Sequence, residues 1–208
     1  MKTVELFAGT KSFSKVMNRG GHSTLTFDNE MKLEPNVCKD ILKMTVADFP
    51  ENIDMLWASP PCTTFSVASI GHHWGGGKRA YIPKTEQAKI GIKIVQKTLC
   101  LIKQANPKWW FIENPRGVLR NLPIMAGLER KTITYCQYGD SRMKPTDIWT
   151  NAYWWKPRPM CKNGDKCHIA APRGARTGTQ GLANAMVRGV IPSALFEEIL
   201  SQLNYNVN

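Results

Sequence analysis

A chain of 208 residues suffices for one domain with a sizeable core, or one domain with a small appendage. Its 28 Lys and Arg against 16 Asp and Glu leave a formal charge of +12, and 42% hydrophobic residues exclude a disordered chain, so the expected partner is a polyanion, most often nucleic acid. No apolar run reaches the about 18 residues of a membrane-spanning helix, the opening MKTVELFAGTKSF lacks the apolar stretch of a secretory signal, and Cys38, Cys62, Cys100, Cys136, Cys161 and Cys167 read as reduced thiols, so an intracellular location without a membrane partner is expected.

Along the chain, short apolar runs alternate with helical patterns. Thr3–Ala8 (TVELFA) reads as a strand entering a glycine-containing turn, with a helix following through Ser14–Asn18. Ser23–Phe27 is a second strand, ending at Asp28, and Asp54–Ala58 a third, bounded by Ser59, Pro60 and Pro61. Residues 85–104 carry apolar side chains at helical spacing behind Thr85, a good N-cap. Lys108–Ile112 reads as a strand ending in Glu113, Asn114 and Pro115; Lys131–Cys136 and Asp147–Trp149 read as two more, and Pro192 opens a last helix. This alternation predicts an α/β fold with a mostly parallel sheet flanked by helices, binding its ligand beyond the carboxyl ends of the strands. Two stretches interrupt it. Ser66–Lys84 holds Gly71, Gly75, Gly76 and Gly77 and reads as a mobile surface loop, whereas Trp154–Gly181, rich in Pro, Arg, Lys and Gly, reads as a small irregular appendage.

The polar segments fall at the expected strand ends. In ELFAGTKSF a turn at Gly9 lets backbone N–H groups and a helix N-terminus approach a ligand, and Asp28 stands where a ribose is often held by a carboxylate. In ASPPCTTFS, Cys62 follows two prolines and is rigidly presented, as a nucleophilic thiolate requires. In FIENPRG, Glu113 and Asn114 stand before a proline break, where a carboxyl group can pair with a ring nitrogen or an exocyclic amine.

The order ELFAG, SPPC, ENP resembles that of the DNA (cytosine-5) methyltransferases, and most closely their small phage-type members. Further segments extend the likeness over nearly the whole chain: Asp48-Phe49 at the position of an acid that contacts adenine, YGDSRMKPT (Tyr138–Thr146) as the Gln-x-Arg-x-Arg segment, and GLANAMVRGVIPSAL (Gly181–Leu195) as the C-terminal segment. The chain departs from the family pattern at Lys11 and Ser12, where glycine is common, and at Arg142, Lys144 and Thr146, which replace the three key positions of the arginine segment.

The resemblance implies a Rossmann-like fold that binds S-adenosyl-L-methionine, and double-stranded DNA as the partner of a monomer in a bacterial or phage-infected cell. It implies Cys62 as the nucleophile toward C6 of a flipped-out cytosine, Glu113 on N3 and the N4 amine, Asn114 ordering the neighbouring loop, and Arg142 or Lys144 on O2 or a phosphate. The cofactor residues would be Leu6, Phe7, Ala8, Gly9, Thr10, Ser12, Phe13, Asp28, Asp48, Phe49, Ser59, Pro60, Asn184 and Ala185. The implied division is a catalytic domain over 1–150, a reduced DNA-recognition region over 151–181, and a C-terminal segment over 182–208 that returns to the catalytic domain. Lys78, Arg79, Arg173 and Arg176 are the candidate DNA contacts. A tyrosine or phenylalanine in place of Cys62 would have suggested amino-group methylation, and a second cysteine in place of Glu113-Asn114 would have suggested RNA.

Cys161, Cys167 and His168 offer three ligands to a zinc ion, but the spacing is not a CxxC pair and no fourth ligand stands out among Cys136, His72 and His73. The segment is therefore read as ordinary thiols in a compact loop, with no metal and no zinc. Two other functions compete with methylation: a catalytically inactive DNA-binding protein of the same fold, motivated by AGTKSFS, and a related enzyme acting on single-stranded or modified DNA.

Overall fold

The computed structural model describes residues 1–77, 80–162, 164–170, 182 and 184–207. Its centre is a seven-stranded sheet built from β1 (Lys2–Leu6), β2 (Ser23–Asp28), β3 (Val37–Cys38), β4 (Met55–Ala58), β7 (Trp109–Pro115), β8 (Arg130–Thr134) and β9 (Pro145–Thr150), in the order β3-β2-β1-β4-β7-β9-β8. The first five strands of that order pair in parallel, and β9 and β8 are antiparallel additions. From β1 the chain goes outward to β2 and β3, then crosses to β4 on the other side of β1. This reversal opens a crevice beyond Leu6 and Ala58, where open α/β sheets bind ligands.

Strand alternation divides the core. Leu56 and Ala58 of β4 face one side, with Val4, Leu6, Ile112 and Trp149, under α3 (Glu86–Ala105); Met55 and Trp57 face the other, with Phe111 and Ile148, under α1 (Ser12–Arg19) and α5 (Ser193–Val207). β4 is buried on both faces, and its sequence MLWA is accordingly apolar throughout. On the α5 side, Phe13 stacks on Trp57 with ring centroids 5.9 Å apart, and Phe196 meets Trp57 edge-on at 4.7 Å. Thr85 caps α3 by accepting from the Ala88 N–H at 3.2 Å, as its position in the sequence indicates.

The predicted mostly parallel α/β architecture is the one observed. The glycine-rich stretch 66–84 departs from expectation. It folds into α2 (Ile70–His73) and a hairpin of β5 (Trp74–Gly75) with β6 (Ile82–Pro83). Trp74, 3% exposed, donates from Nε1 to the Thr64 carbonyl at 2.6 Å, and His73 Nδ1 lies 2.7 Å from the Thr85 hydroxyl. Two buried rings thus hold a segment whose glycine content had suggested a mobile loop. The start of the appendage packs on the sheet: Trp155 is fully buried against Phe111, and Trp154 lies edge-on to Trp109.

Candidate active site

Cys62 stands just beyond the carboxyl end of β4. Its carbonyl accepts from the Phe65 and Ser66 N–H groups, both at 3.0 Å, closing a tight turn after the two prolines. Asn114, fully buried at the end of β7, donates from Nδ2 to the Pro60 carbonyl at 2.9 Å. Val118 N–H reaches the Phe65 carbonyl at 2.8 Å, and Gly117 forms a bridge with Ser66. A Cβ on Gly117 would stand 2.1 Å from the Phe65 oxygen, so glycine is required for this close approach. The ENPRG segment therefore clamps the cysteine loop from both ends.

Glu113, the residue before Asn114, turns into the same space. It is 5% exposed, and its Oε1 accepts from the Tyr135 hydroxyl at 2.9 Å. Burial, reinforced by the Glu113 charge, drives the Tyr135 pKa upward, so its phenol stays protonated and donates. Lys144, between β8 and β9, is also buried; its Nζ lies 4.5 Å from the Tyr135 ring centroid and donates to the Arg188 carbonyl at 3.0 Å. Burial lowers the Lys144 pKa, opposed by the charges of Glu113 and Cys62. The Cys62 thiol is pushed above its ordinary value by burial and then by Glu113, while Lys144 and Arg188 pull it back. A nucleophile, a carboxyl group and a buried cation from three different strand ends thus act on one another.

Arg142 acts on Lys144 and Tyr135 through its charge, but its own hydrogen bonds go elsewhere. It is 4% exposed and grips Asp140 through Nε and both Asp140 oxygens, at 2.8 and 3.0 Å, and through Nη2. Its remaining donors reach the carbonyls of Val187, Arg188 and Val190 at 3.2–3.3 Å. Every arm of the guanidinium is thus committed within the protein.

A cleft opens at the crevice predicted by the topology, lined by Leu6, Phe7, Phe27, Asp28, Asp40, Ile41 and Pro61 among others. Asp28 ties it together: Oδ2 accepts from Gly9 N and Oδ1 from Glu30 N, both at 3.0 Å. Phe7 and Gly9 both have positive φ, the tight turn that ELFAG announces. Ala8 and Thr10 lie on that turn, and Thr10 shares a hydrogen bond with Ser12.

Several expected cofactor residues fall elsewhere. Asp48 is occupied by Lys39, at 2.7 and 2.8 Å, and by the Thr45 N–H, while Phe49 packs edge-on to Phe27; neither lines the cleft. Asp40 and Ile41 take that place, directly after the two-residue β3. Phe13 points away into the Trp57 cluster. Pro61 lines the cleft where Ser59 and Pro60 were expected; Ser59 accepts from Trp57 Nε1 instead. Asn184 is exposed and caps α4 (Ala185–Gly189), which Ala185 begins, accepting from Met186 N at 2.8 Å.

The profile of the C-5 cytosine-specific DNA methylases matches residues 1–122, more than half of the chain. The chain belongs to this family. Its activity class is accordingly that of a DNA (cytosine-5)-methyltransferase. A Frog virus 3 (isolate Goorha) protein described as "Probable DNA (cytosine-5)-methyltransferase" is 26% identical over 96% of this chain and 99% of its own length. The Type II methyltransferase M.CviJI of Paramecium bursaria Chlorella virus IL3A is 38% identical over 77 residues, 32% of this chain and 21% of that protein. The Entamoeba histolytica methyltransferase EhMeth superposes with a TM-score of 0.51 at 12% identity, over 78% of this chain and 57% of that one. The methylase thus spans little more than half of that solved structure, with which it shares the fold.

Four residues of this methylase's site were not among the candidates named from the sequence. Glu5 is a carboxylate inside a buried strand; it accepts from Phe13 N at 3.1 Å and Ser14 N at 3.0 Å, capping α1 behind the cleft. Asp40 follows a strand too short for a periodic pattern. Tyr135 and Arg188 become relevant only through tertiary contact. The proposed DNA contacts Lys78, Arg79, Arg173 and Arg176 lie outside the described residues. The thiols read as ordinary ones in a compact loop converge in one place. Sγ of Cys136, Cys161 and Cys167 and a ring nitrogen of His168 lie within 4.8 Å of one another. Cys136 completes a donor set that the sequence left one ligand short. No helix among the described residues is long and apolar enough to cross a membrane.

Proposed function

We propose that this methylase transfers a methyl group from S-adenosyl-L-methionine to C5 of a cytosine in double-stranded DNA, through a transient bond between Cys62 Sγ and C6. The observation that carries this reading is the convergence of three strand ends: Asn114 ties the Cys62 loop to β7 through the Pro60 carbonyl, and the neighbouring buried Glu113 and buried Lys144 meet on the two sides of Tyr135. Cytosine C5 is a weak nucleophile. Addition of the Cys62 thiolate to C6 gives C5 enamine character, and Glu113 assists by hydrogen bonding at N3 and the N4 amine as charge develops there. Lys144 stabilises the thiolate before attack and, in this reading, holds the cytosine O2. After methylation the C5 proton leaves to a base, the Sγ–C6 bond breaks and the thiolate is regenerated. The cytosine must leave the helix to reach this buried group, which requires base flipping.

The cleft fits the methyl donor. Leu6, Phe27, Ile41 and Met44 offer an apolar wall for a purine, and Asp28 and Asp40 offer carboxylates to ribose hydroxyls and an exocyclic amine. When bound, S-adenosyl-L-methionine supplies an electrophilic methyl group. Asp28 positions the Gly9 turn, and Glu5 holds the N-terminus of α1 behind it.

We read residues 1–150 as the catalytic unit, 151–181 as a reduced recognition region and 182–208 as the returning C-terminal segment. The protein is proposed to work as a monomer inside the cell that carries its DNA substrate. The test is transfer of labelled methyl to duplex DNA, with 5-methylcytosine identified by mass spectrometry. Wild type is expected to label and Cys62→Ala to be inactive; undiminished C5 methylation by Cys62→Ala would falsify the nucleophile assignment.

A further inference from the structure

We propose that Cys136, Cys161, Cys167 and His168 form a structural zinc site that fastens the appendage to the catalytic sheet. The four residues come from two separate parts of the chain. Cys136 lies in the 3-10 turn after β8 (Tyr135–Tyr138), and the other three lie in CKNGDKCH, 25 or more residues further on. Cys136 and Cys161 are buried, His168 is half-buried and Cys167 is exposed.

Three of the six separations match the edges of a tetrahedron, and all six are within 4.8 Å. With Zn–S about 2.3 Å and Zn–N about 2.0–2.1 Å, tetrahedral ligands sit about 3.8 Å apart for two sulfurs and about 3.6 Å for sulfur and nitrogen. Cys136 and Cys167 Sγ are 3.7 Å apart, and His168 Nδ1 lies 3.7 Å from Cys161 Sγ and 3.6 Å from Cys167 Sγ. Cys136 and Cys161 Sγ are closer, at 3.0 Å, and separate by less than about 1 Å to take a metal between them. A disulfide would use two of the sulfurs and give no role to the convergence of Cys167 and His168.

The surroundings are arranged to hold the ligands. Thr134 Oγ1 accepts from Cys161 N at 3.1 Å, Gln137 Nε2 approaches Cys167 Sγ at 3.6 Å, and Lys162 N donates to Asp165 at 2.6 Å to close the turn between the two cysteines. Ile169 N bonds to the Ser141 carbonyl at 2.8 Å, fixing the far end. On binding, the three thiols release their protons and His168 Nδ1 donates its lone pair, giving a net charge of −1 in a loop that carries Lys162 and Lys166. All four positions are filled by protein ligands, the pattern of a structural site. Its anchor on the sheet adjoins Tyr135, the partner of Glu113, and the other anchor leads into the basic segment 171–181 of the sequence.

The test is the metal content of the full chain purified under reducing conditions, with cobalt substitution as a second readout. The expected result is one zinc per chain, and a cobalt form with thiolate-to-metal charge-transfer bands and tetrahedral d–d absorption. Cys167→Ser and His168→Ala are expected to reduce the zinc content toward zero, whereas Cys38→Ser, an exposed thiol outside the cluster, retains it. Chelation is expected to lower Tm, with recovery on adding zinc. The proposal is overturned by a folded chain without metal that also gives no tetrahedral cobalt spectrum, by a Cys136–Cys161 disulfide in the reduced preparation, or by full zinc occupancy in Cys167→Ser.

Discussion

Asn114 Nδ2 donates to the Pro60 carbonyl at 2.9 Å, so the side chain beside the candidate acid also sets the path of the loop that presents the nucleophile. Because Asn114 is fully buried, Asn114→Ala leaves the Pro60 carbonyl without this donor at a cost of about 1–3 kcal/mol. The effect on catalysis exceeds the effect on folding, since displacement of a reacting group by about 1 Å costs on the order of 100-fold. Urea unfolding and methyl transfer on one preparation separate the two: the variant remains folded and kcat falls much more than the bound fraction of DNA.

Gly117 tests the other end of the same clamp. Its added Cβ would meet the Phe65 carbonyl carbon at 3.1 Å as well as the oxygen, and both belong to backbone that cannot rotate aside. Gly117→Ala must therefore push the 62–66 turn away from β7. Overpacking of this kind costs about 1–3 kcal/mol, and we expect kcat to drop on the order of 100-fold through displacement of Cys62. A variant of normal activity would show that the Cys62 turn is free of ENPRG.

The sheet was legible because its central strands are short apolar runs that end in polar motifs, and Cys62, Glu113 and Asn114 occupy those ends. Other parts were not, for separable reasons. Asp40 and Asp48 are both acids beside apolar residues, and only the position of a two-residue β3 decides which one meets the cleft. Arg142 and Lys144 are two residues apart on a turn, and nothing local shows that Asp140 and the carbonyls at the end of α4 claim the first of them. Cys136 reads as a lone thiol at a strand end until the chain returns 25 residues later with Cys161.

Arg142 is therefore expected to act as an anchor for the C-terminal segment. Arg142→Ala abandons a mostly buried Asp140 carboxylate and three carbonyls, and removal of one partner from such a pair costs about 3–5 kcal/mol. Burial works against ionised Asp140, yet the hydrogen bonds and charge of Arg142 hold its pKa below the usual value. That depressed pKa stabilises the fold above the unfolded aspartate value of about 3.9, and the contribution is lost as pH falls through the folded pKa. Urea melts at pH 7 and pH 3 provide the check: the gap between wild type and variant is wide at pH 7 and narrows in acid. An equal gap at both values would contradict the anchor.

Cys62 gives the most direct reading of the site's electrostatics. Burial and then the Glu113 carboxylate disfavour the thiolate, while Lys144 and Arg188 favour it, and the balance lies above the ordinary cysteine value. Alkylation requires the thiolate, so the rate at Cys62 should rise with pH through a midpoint above the ordinary cysteine value. Glu113→Gln removes a negative neighbour and should shift the midpoint down. Lys144→Met removes a positive one and should shift it up. Iodoacetamide labelling across pH, with each cysteine peptide quantified by mass spectrometry, measures all of these in one experiment. Opposite displacements from two substitutions that each remove one charge are not produced by loosening of the fold, which would move both variants toward the value of a free cysteine. If both midpoints move the same way, Glu113 and Lys144 do not act on Cys62 as the geometry requires.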